Sequence, residues 1–192
     1  MSHAAAARLF VAVDPPAEVS RALAAWARTV AAELRGAGSP RFVDAASMHL
    51  TLCFLGNRPV AEIGALAAAL EPCAAAVGEC SLGAPVLLPP RRPRALAVEV
   101  CDDAHGLAHV HGLLVCELAR ACGWEPPRGR LRPHITVARL GRGARGAGVP
   151  AFAEPTPQLS FTPLSLSLYR SRLDPAGARY EELARCALGR ER

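Results

Sequence analysis

The chain has 192 residues, 51% of them apolar, a net charge of +5 and a pI near 9.1. That supplies a hydrophobic interior for one domain, or for two small lobes sharing a core, and the positive charge suits an anionic ligand. All 22 basic residues are arginine, so a Walker A loop, a Schiff base and a lysyl-nucleotide ligase intermediate are excluded.

No apolar run approaches the ~18–20 residues of a membrane span. Met1 to Ala7 has no basic stretch followed by a hydrophobic one, so no secretory signal is expected. The cysteine count is seven, an odd number, and no Cys-x-x-Cys pair occurs. Reduced, mostly buried thiols in a cytoplasmic protein are expected.

In chain order, Arg8 to Val13 reads as a short buried strand. A helix follows, with apolar Val19, Leu23, Trp26, Val30 and Leu34 at steps of four and three. Asp14 and Pro15 form a plausible cap and first-turn pair. A loop leads to a strand at His49. Val60 to Val77 reads as an alanine-rich helix, and Ser81 to Leu88 as a strand. Arg94 to Val100 repeats the opening strand. The next helix carries Leu107, Val110, Leu114 and Leu118, with Gly123 as its stop. A second histidine strand begins at His134. Beyond it, the glycine-arginine stretch from Gly141 to Gly148 and the proline-rich Pro150 to Pro163 read as a loop able to close over ligand. Leu164 to Tyr169 alternates like a strand. Asp174-Pro175-Ala176-Gly177 matches a type I turn, returning through Tyr180 into a strand over Glu181 to Leu188. The chain thus reads as two β-α-β units, swapped or side by side, with halves at roughly 8–90 and 94–188 forming one two-lobed domain.

The most informative feature is a motif present twice. His-Leu-Thr-Leu-Cys-Phe-Leu-Gly runs from His49 to Gly56, and His-Ile-Thr-Val-Ala-Arg-Leu-Gly from His134 to Gly141. In a strand, residues i and i+2 share a face. His49, Thr51 and Cys53 are therefore expected on one side, and Leu50, Leu52 and Phe54 on the other, packed on helices. His134, Thr136 and Ala138 repeat the pattern against Ile135 and Val137. Two such strands facing each other would put two imidazoles and two hydroxyls around one cleft.

Those groups suit acid–base chemistry on a phosphodiester. The ordinary histidine pKa of about 6.5 lets one imidazole be neutral while its partner is protonated. The neutral ring can take a proton from water, and the protonated ring can donate one to a departing oxygen. Threonine hydroxyls can donate to non-bridging phosphate oxygens as charge grows. Arg128, Arg130, Arg132, Arg139, Arg142 and Arg145 bracket the second motif, with no acidic residue between Glu125 and Glu154.

On these residues the chain resembles the two-histidine (2H) phosphoesterases, in particular the bacterial RNA 2′,3′-cyclic phosphodiesterases, historically called 2′-5′ RNA ligases. The likeness includes His-x-Thr-x-x-Phe-Leu-Gly, Pro-His-x-Thr-x-Ala-Arg at Pro133 to Arg139, and the Arg8-Leu9-Phe10-Val11-Ala12 strand. Phe42-Val43, Leu168-Tyr169-Arg170-Ser171, Gly177 and Tyr180-Glu181 support it. The resemblance implies an α+β, bilobal fold of two pseudo-symmetric β-α-β lobes, with antiparallel sheets lining a central cleft and helices outside. It implies metal-independent, cofactor-free hydrolysis of 2′,3′-cyclic phosphate ends of RNA or small nucleotides to 2′-phosphomonoesters, in a monomer. It also implies His49 as proton donor, His134 as acceptor, and Thr51 and Thr136 as phosphate holders. Phe42, Arg132 and Arg139 are further candidate contacts. Strict alternation points Arg139 away from His134 unless the strand ends or bulges.

Other signals are weaker. His105 and His109 are four apart, with His111 following, but no residue completes a zinc set, and helix-packing or surface histidines are the simpler reading. Phe42 suits base stacking or the core equally. Trp26 and Trp124 read as packing residues. The alternatives to hydrolysis are the reverse 2′-5′ joining reaction and a nucleotide- or RNA-binding module without turnover.

Overall fold

A computed structural model describes residues 5–37, 40–141, 152–174 and 177–189. Its strands are β1 (Ala6–Val13), β2 (Arg41–Phe42), β3 (Leu50–Pro59), β4 (Cys80–Leu88) and β5 (Ala95–Cys101). They continue with β6 (His134–Arg139), β7 (Ser160–Phe161), β8 (Ser165–Asp174) and β9 (Gly177–Ala187). The α-helices are α1 (Ala17–Thr29), α2 (Ile63–Ala68) and α3 (Gly106–Cys122). The sheet order is β7-β4-β5-β6-β3-β1-β8-β9, with β2 pairing β6, and every described pairing is antiparallel.

This is the expected antiparallel α+β architecture, and it resolves the choice between swapped and side-by-side units. One arm of the sheet is β3-β1-β8-β9; the other is β7-β4-β5-β6 with β2. Each arm takes strands from both halves of the sequence. The helices are exchanged too. Helix α1 follows β1 but packs on β6 and β2, while α3 follows β5 but packs on β3.

Helix α3 forms where its apolar stripe demands, with Leu107, Val110, Leu114 and Leu118 all solvent-free. Gly123, at φ 65°, ends it in the left-handed conformation that glycine adopts without steric cost. At its start, Asp102 accepts hydrogen bonds from the Gly106 and Leu107 amides at 3.0 and 2.8 Å, satisfying donors the helix leaves open.

Three expectations need correction. The segment from Val60 to Val77 is not one helix. It forms 3₁₀ turns at Val60–Glu62 and Glu71–Cys73 around the six-residue α2, then irregular chain. Pro72 has no amide proton to continue the ladder and disfavours helix at Glu71. The α-helical part of the first helix ends at Thr29 and continues as 3₁₀ turns over Val30–Ala37, although Val30 and Leu34 stay buried. Asp14 does not cap it: Pro16 occupies that position without a side-chain bond. Two successive prolines push the helix start beyond reach of the carboxylate. Asp14 instead accepts hydrogen bonds from Ser165, Ser167 and Tyr169 of β8 at 3.1, 3.0 and 2.8 Å.

The β8–β9 hairpin forms as expected, closed by the Asp174–Gly177 pair. The tip of its proposed type I turn and the glycine-arginine loop, including Arg142 and Arg145, lie outside the described residues. Among the described residues no helix is long and apolar enough to cross a membrane. Because each arm is built from both sequence halves, neither half should fold alone. Residues 1–92 and 93–192 expressed separately should each show no cooperative urea transition by circular dichroism, whereas the full chain should unfold in one.

Candidate active site

The two motif strands meet at one point. Leu50 of β3 pairs with Ile135 of β6, and no further β3–β6 pair forms. Both side chains are solvent-free in the core. In an antiparallel ladder, extending that register by one residue sets His49 against Thr136 and Thr51 against His134. The strands then splay, and β2 takes β3's place along β6 through Arg41–Arg139 and Phe42–Ala138. The opening between the arms is a cleft of about 330 Å³, at the lower end of small-ligand pockets, ~300–1,000 Å³. It is lined by the predicted His49, Thr51, His134, Thr136 and Arg139, together with Arg8, Phe10, Phe54, Ser171 and Tyr180.

Each strand carries a bulge three residues beyond its histidine. In β3, Leu52 is extra between the Val11–Cys53 and Ala12–Thr51 pairs. In β6, Val137 is extra between Leu96–Ala138 and Ala97–Thr136. An extra residue reverses the facing of everything after it. Cys53, expected beside Thr51, is therefore buried in the core, where burial pushes its thiol up to about 12. Ala138 is likewise buried. Phe54, expected in the core, is 47% exposed and lines the cleft. The Val137 bulge turns Arg139 into the cleft, the condition on which its phosphate contact depended.

The imidazoles are held alike. His49 Nδ1 lies 2.9 Å from the Ser47 carbonyl, and His134 Nδ1 lies 2.7 Å from the Arg132 carbonyl. A carbonyl only accepts, so Nδ1–H donates in both and Nε2 is left for chemistry. Their surroundings differ. His49 packs against Phe10 at 4.7 Å and edge-on to Tyr180 at 4.8 Å between ring centroids. Tyr169 stacks on Phe10 at 5.3 Å and is fixed by its hydrogen bond to Asp14. Burial in this aromatic setting lowers the His49 pKa. The Ser47 carbonyl and the Asp14 charge oppose the shift, while Arg139 and His134 add to it.

Among the described residues the cleft lining contains two arginines and no carboxylate. The Arg8 guanidinium lies 4.8 Å over the Phe54 ring, a cation–π contact. Arg8, Ser171 and Tyr180 form one row across β1, β8 and β9. The site thus offers two opposed imidazoles, two hydroxyls and a positive field to an anion.

Among the remaining candidates, Arg132 is outside the cleft lining. Its side chain pairs with Glu99 at 2.6 Å, and its carbonyl anchors His134. Phe42 packs on the core and also lines a smaller cavity beside the cleft. His105 sits in a left-handed turn before α3, and no cluster of three potential metal ligands occurs among the described residues. The two tryptophans are buried; the Trp124 indole N–H donates to the Phe54 carbonyl at 3.2 Å, steadying the strand just past the bulge. Periodicity missed Phe54 because it assumed unbroken alternation. Arg8, Phe10, Ser171 and Tyr180 stood out only as parts of the flanking similarity.

Comparison with known proteins agrees with this geometry. Residues 8–175 match the family model of the 2′-5′ RNA ligase superfamily. The chain is 34% identical over 190 residues to the RNA 2′,3′-cyclic phosphodiesterase of Thermus thermophilus, covering 94% of this chain and 90% of that protein. Among solved structures, TT0787 of Thermus thermophilus superposes with a TM-score of 0.77 at 30% identity, covering 96% of this chain and 100% of that one. E. coli LigT complexed with 3′-AMP gives 0.74 at 26% identity, with 96% and 99% coverage.

The aromatic burial of His49 can be tested directly. Its imidazole NMR titration should have a midpoint below 6.5, and saturating inorganic phosphate should raise it, because an anion in the cleft favours imidazolium. With the histidine strands joined in one cleft and its relatives aligned over nearly their whole length, the chain belongs to the 2′-5′ RNA ligase superfamily.

Proposed function

We propose that the chain is a metal-independent RNA 2′,3′-cyclic phosphodiesterase that leaves a 2′-phosphomonoester. The observation carrying this reading is the Leu50–Ile135 pair, which sets the two His-x-Thr units about one cleft. In-line displacement at phosphorus needs the attacking and leaving oxygens on opposite sides, and pseudo-twofold placement of two imidazoles meets that need. The names of its relatives, a cyclic phosphodiesterase and a nucleotide-bound LigT, support the substrate class.

His134 Nε2 takes a proton from water as the water oxygen bonds to phosphorus. The P–O3′ bond breaks, and His49 Nε2–H delivers its proton to O3′. The 2′ oxygen stays attached, and the histidines exchange protons with solvent to reset. Thr51 and Thr136 donate to the non-bridging oxygens, with Arg139 and Arg8 supplying positive charge. The direction of proton flow follows the family resemblance. An anion in the cleft favours the His49 imidazolium, the protonated form that a proton donor needs.

Both motifs come from one chain, so the site is complete in a monomer. Seven unpaired thiols suit the cytoplasm. The superfamily name favours a second reading, in which the same groups run backwards to join a cyclic end to a 5′-hydroxyl as a 2′-5′ link. Without lysine, the energy for that comes from the strained cyclic phosphate itself.

His49→Ala and His134→Ala should each lower kcat on a cyclic-ended oligonucleotide by ~10²–10⁴-fold. Their residual pH profiles should differ. Loss of the acid His49 should remove the alkaline limb, and loss of the base His134 the acid limb. Wild-type kcat should keep its alkaline limb to higher pH than kcat/KM, because bound phosphate raises the His49 pKa. Turnover should survive EDTA, and ³¹P NMR should find the product phosphate on the 2′ oxygen. Full activity in either alanine variant would sink the acid–base assignment.

A further inference from the structure

Resting on that reading, we infer a second phosphate subsite between Arg41 and Arg139, which recognises the 5′-phosphoryl group of the nucleoside whose cyclic phosphate lies between the histidines. In RNA this group is the phosphodiester to the preceding nucleotide. The enzyme would thereby favour RNA ends and 5′-phosphorylated nucleotides over nucleoside cyclic phosphates lacking a second phosphate.

The inference starts from an unfavourable pairing. Arg41 of β2 and Arg139 of β6 are direct cross-strand partners, so their side chains leave the sheet on the same face. Like charges in that relation are destabilising. Among the described residues neither guanidinium has a carboxylate within ion-pair distance. Other arginines of the sheet contrast with them: Arg132 pairs with Glu99, Arg172 with Glu181, and Arg185 with Glu182. An anion seated between Arg41 and Arg139 would remove the repulsion and accept charge-assisted hydrogen bonds from both forks.

A cavity exists at that place. It has a volume of about 110 Å³ and is lined by Arg41, Phe42, Asp44, Ser47, Arg139 and Tyr180, among others. A space of that size exceeds the ~10–15 Å³ that one water requires by several-fold, so it has room for a tetrahedral oxyanion. Ser47 adds a hydroxyl. Asp44 shares the wall but forms no ion pair with either arginine. Arg139 and Tyr180 line both this cavity and the histidine cleft, so the two spaces share a wall. A ligand in the cleft can therefore place a second charge beyond Arg139 without leaving the protein surface.

Calorimetric titration with adenosine 2′-monophosphate and adenosine 2′,5′-bisphosphate tests the inference. The wild type should bind the bisphosphate about tenfold more tightly. Arg41→Ala should bring the two within twofold, and Arg41→Lys should recover part of the preference. Arg28→Ala, which removes an arginine from α1, should keep the full preference and so controls for net charge. Melting temperatures of the variants should be no lower than that of the wild type, since Arg41 and Arg28 are exposed and Arg41→Ala removes a like-charge neighbour of Arg139. A parallel turnover assay compares adenosine 2′,3′-cyclic phosphate with and without a 5′-phosphate. Equal affinity for both ligands in the wild type, or a preference that survives Arg41→Ala, would overturn the subsite. Equal turnover of both cyclic substrates counts against it in the same way while leaving the phosphodiesterase reading intact. Preferential bisphosphate binding with no turnover of either substrate would sink that reading and leave the subsite standing.

Discussion

Leu50 and Ile135 hold the molecule's two arms together at the place where its chemistry is set. Their pairing is the single β3–β6 ladder contact, and both side chains are fully withdrawn from water. Helix α1 packs on β6 and α3 on β3. Because the contact is one pair long, the strands diverge at once and leave a cleft. Because it is antiparallel, the two His-x-Thr units run in opposite senses past that pair, and all four side chains line the cleft. A longer shared ladder would close the cleft, and a one-residue slip of either strand would turn that strand's imidazole away from it.

Around this pair the two halves repeat one another in detail. Each histidine ties Nδ1 to the carbonyl two residues before it, and each strand bulges three residues after it. The repeat is broken where the substrate must be told end from end. Two positions past the bulge stand Phe54 on one side and Arg139 on the other, an apolar platform against a cation. His49 is enclosed by Phe10, Tyr169 and Tyr180, whereas His134 lies beside the Arg132–Glu99 pair. The same ring thus sits in two different surroundings, one enclosed by aromatic side chains and one beside an ion pair.

Asp14 shows how far such a setting extends. It stands just beyond β1, outside the cleft lining, and gathers three hydroxyls from β8 as well as the Arg185 guanidinium at 3.5 Å. Those bonds fix Tyr169, Tyr169 stacks on Phe10, and Phe10 packs on His49. A residue expected to cap a helix thus joins β1 to β8 and places a negative charge near the imidazole it helps to bury.

The doubled motif made the pair of histidines and their threonines stand out in the amino-acid order, and the family it resembles implied the antiparallel α+β class. Period-2 and period-3.6 patterns depend on neighbours along the chain, so strands such as β1 and β5 and the stripe of α3 were readable too. The bulges were not, because an extra residue is defined only against a partner strand; that is why Cys53 and Phe54 exchanged places and Arg139 turned inward. The exchange of strands between halves was equally hidden, since a strand's own residues do not say which edge it joins. Sequence alone determined which chemical groups the protein possesses. Tertiary structure decided which of them face one cleft, because facing is fixed by register and packing between segments far apart in the chain.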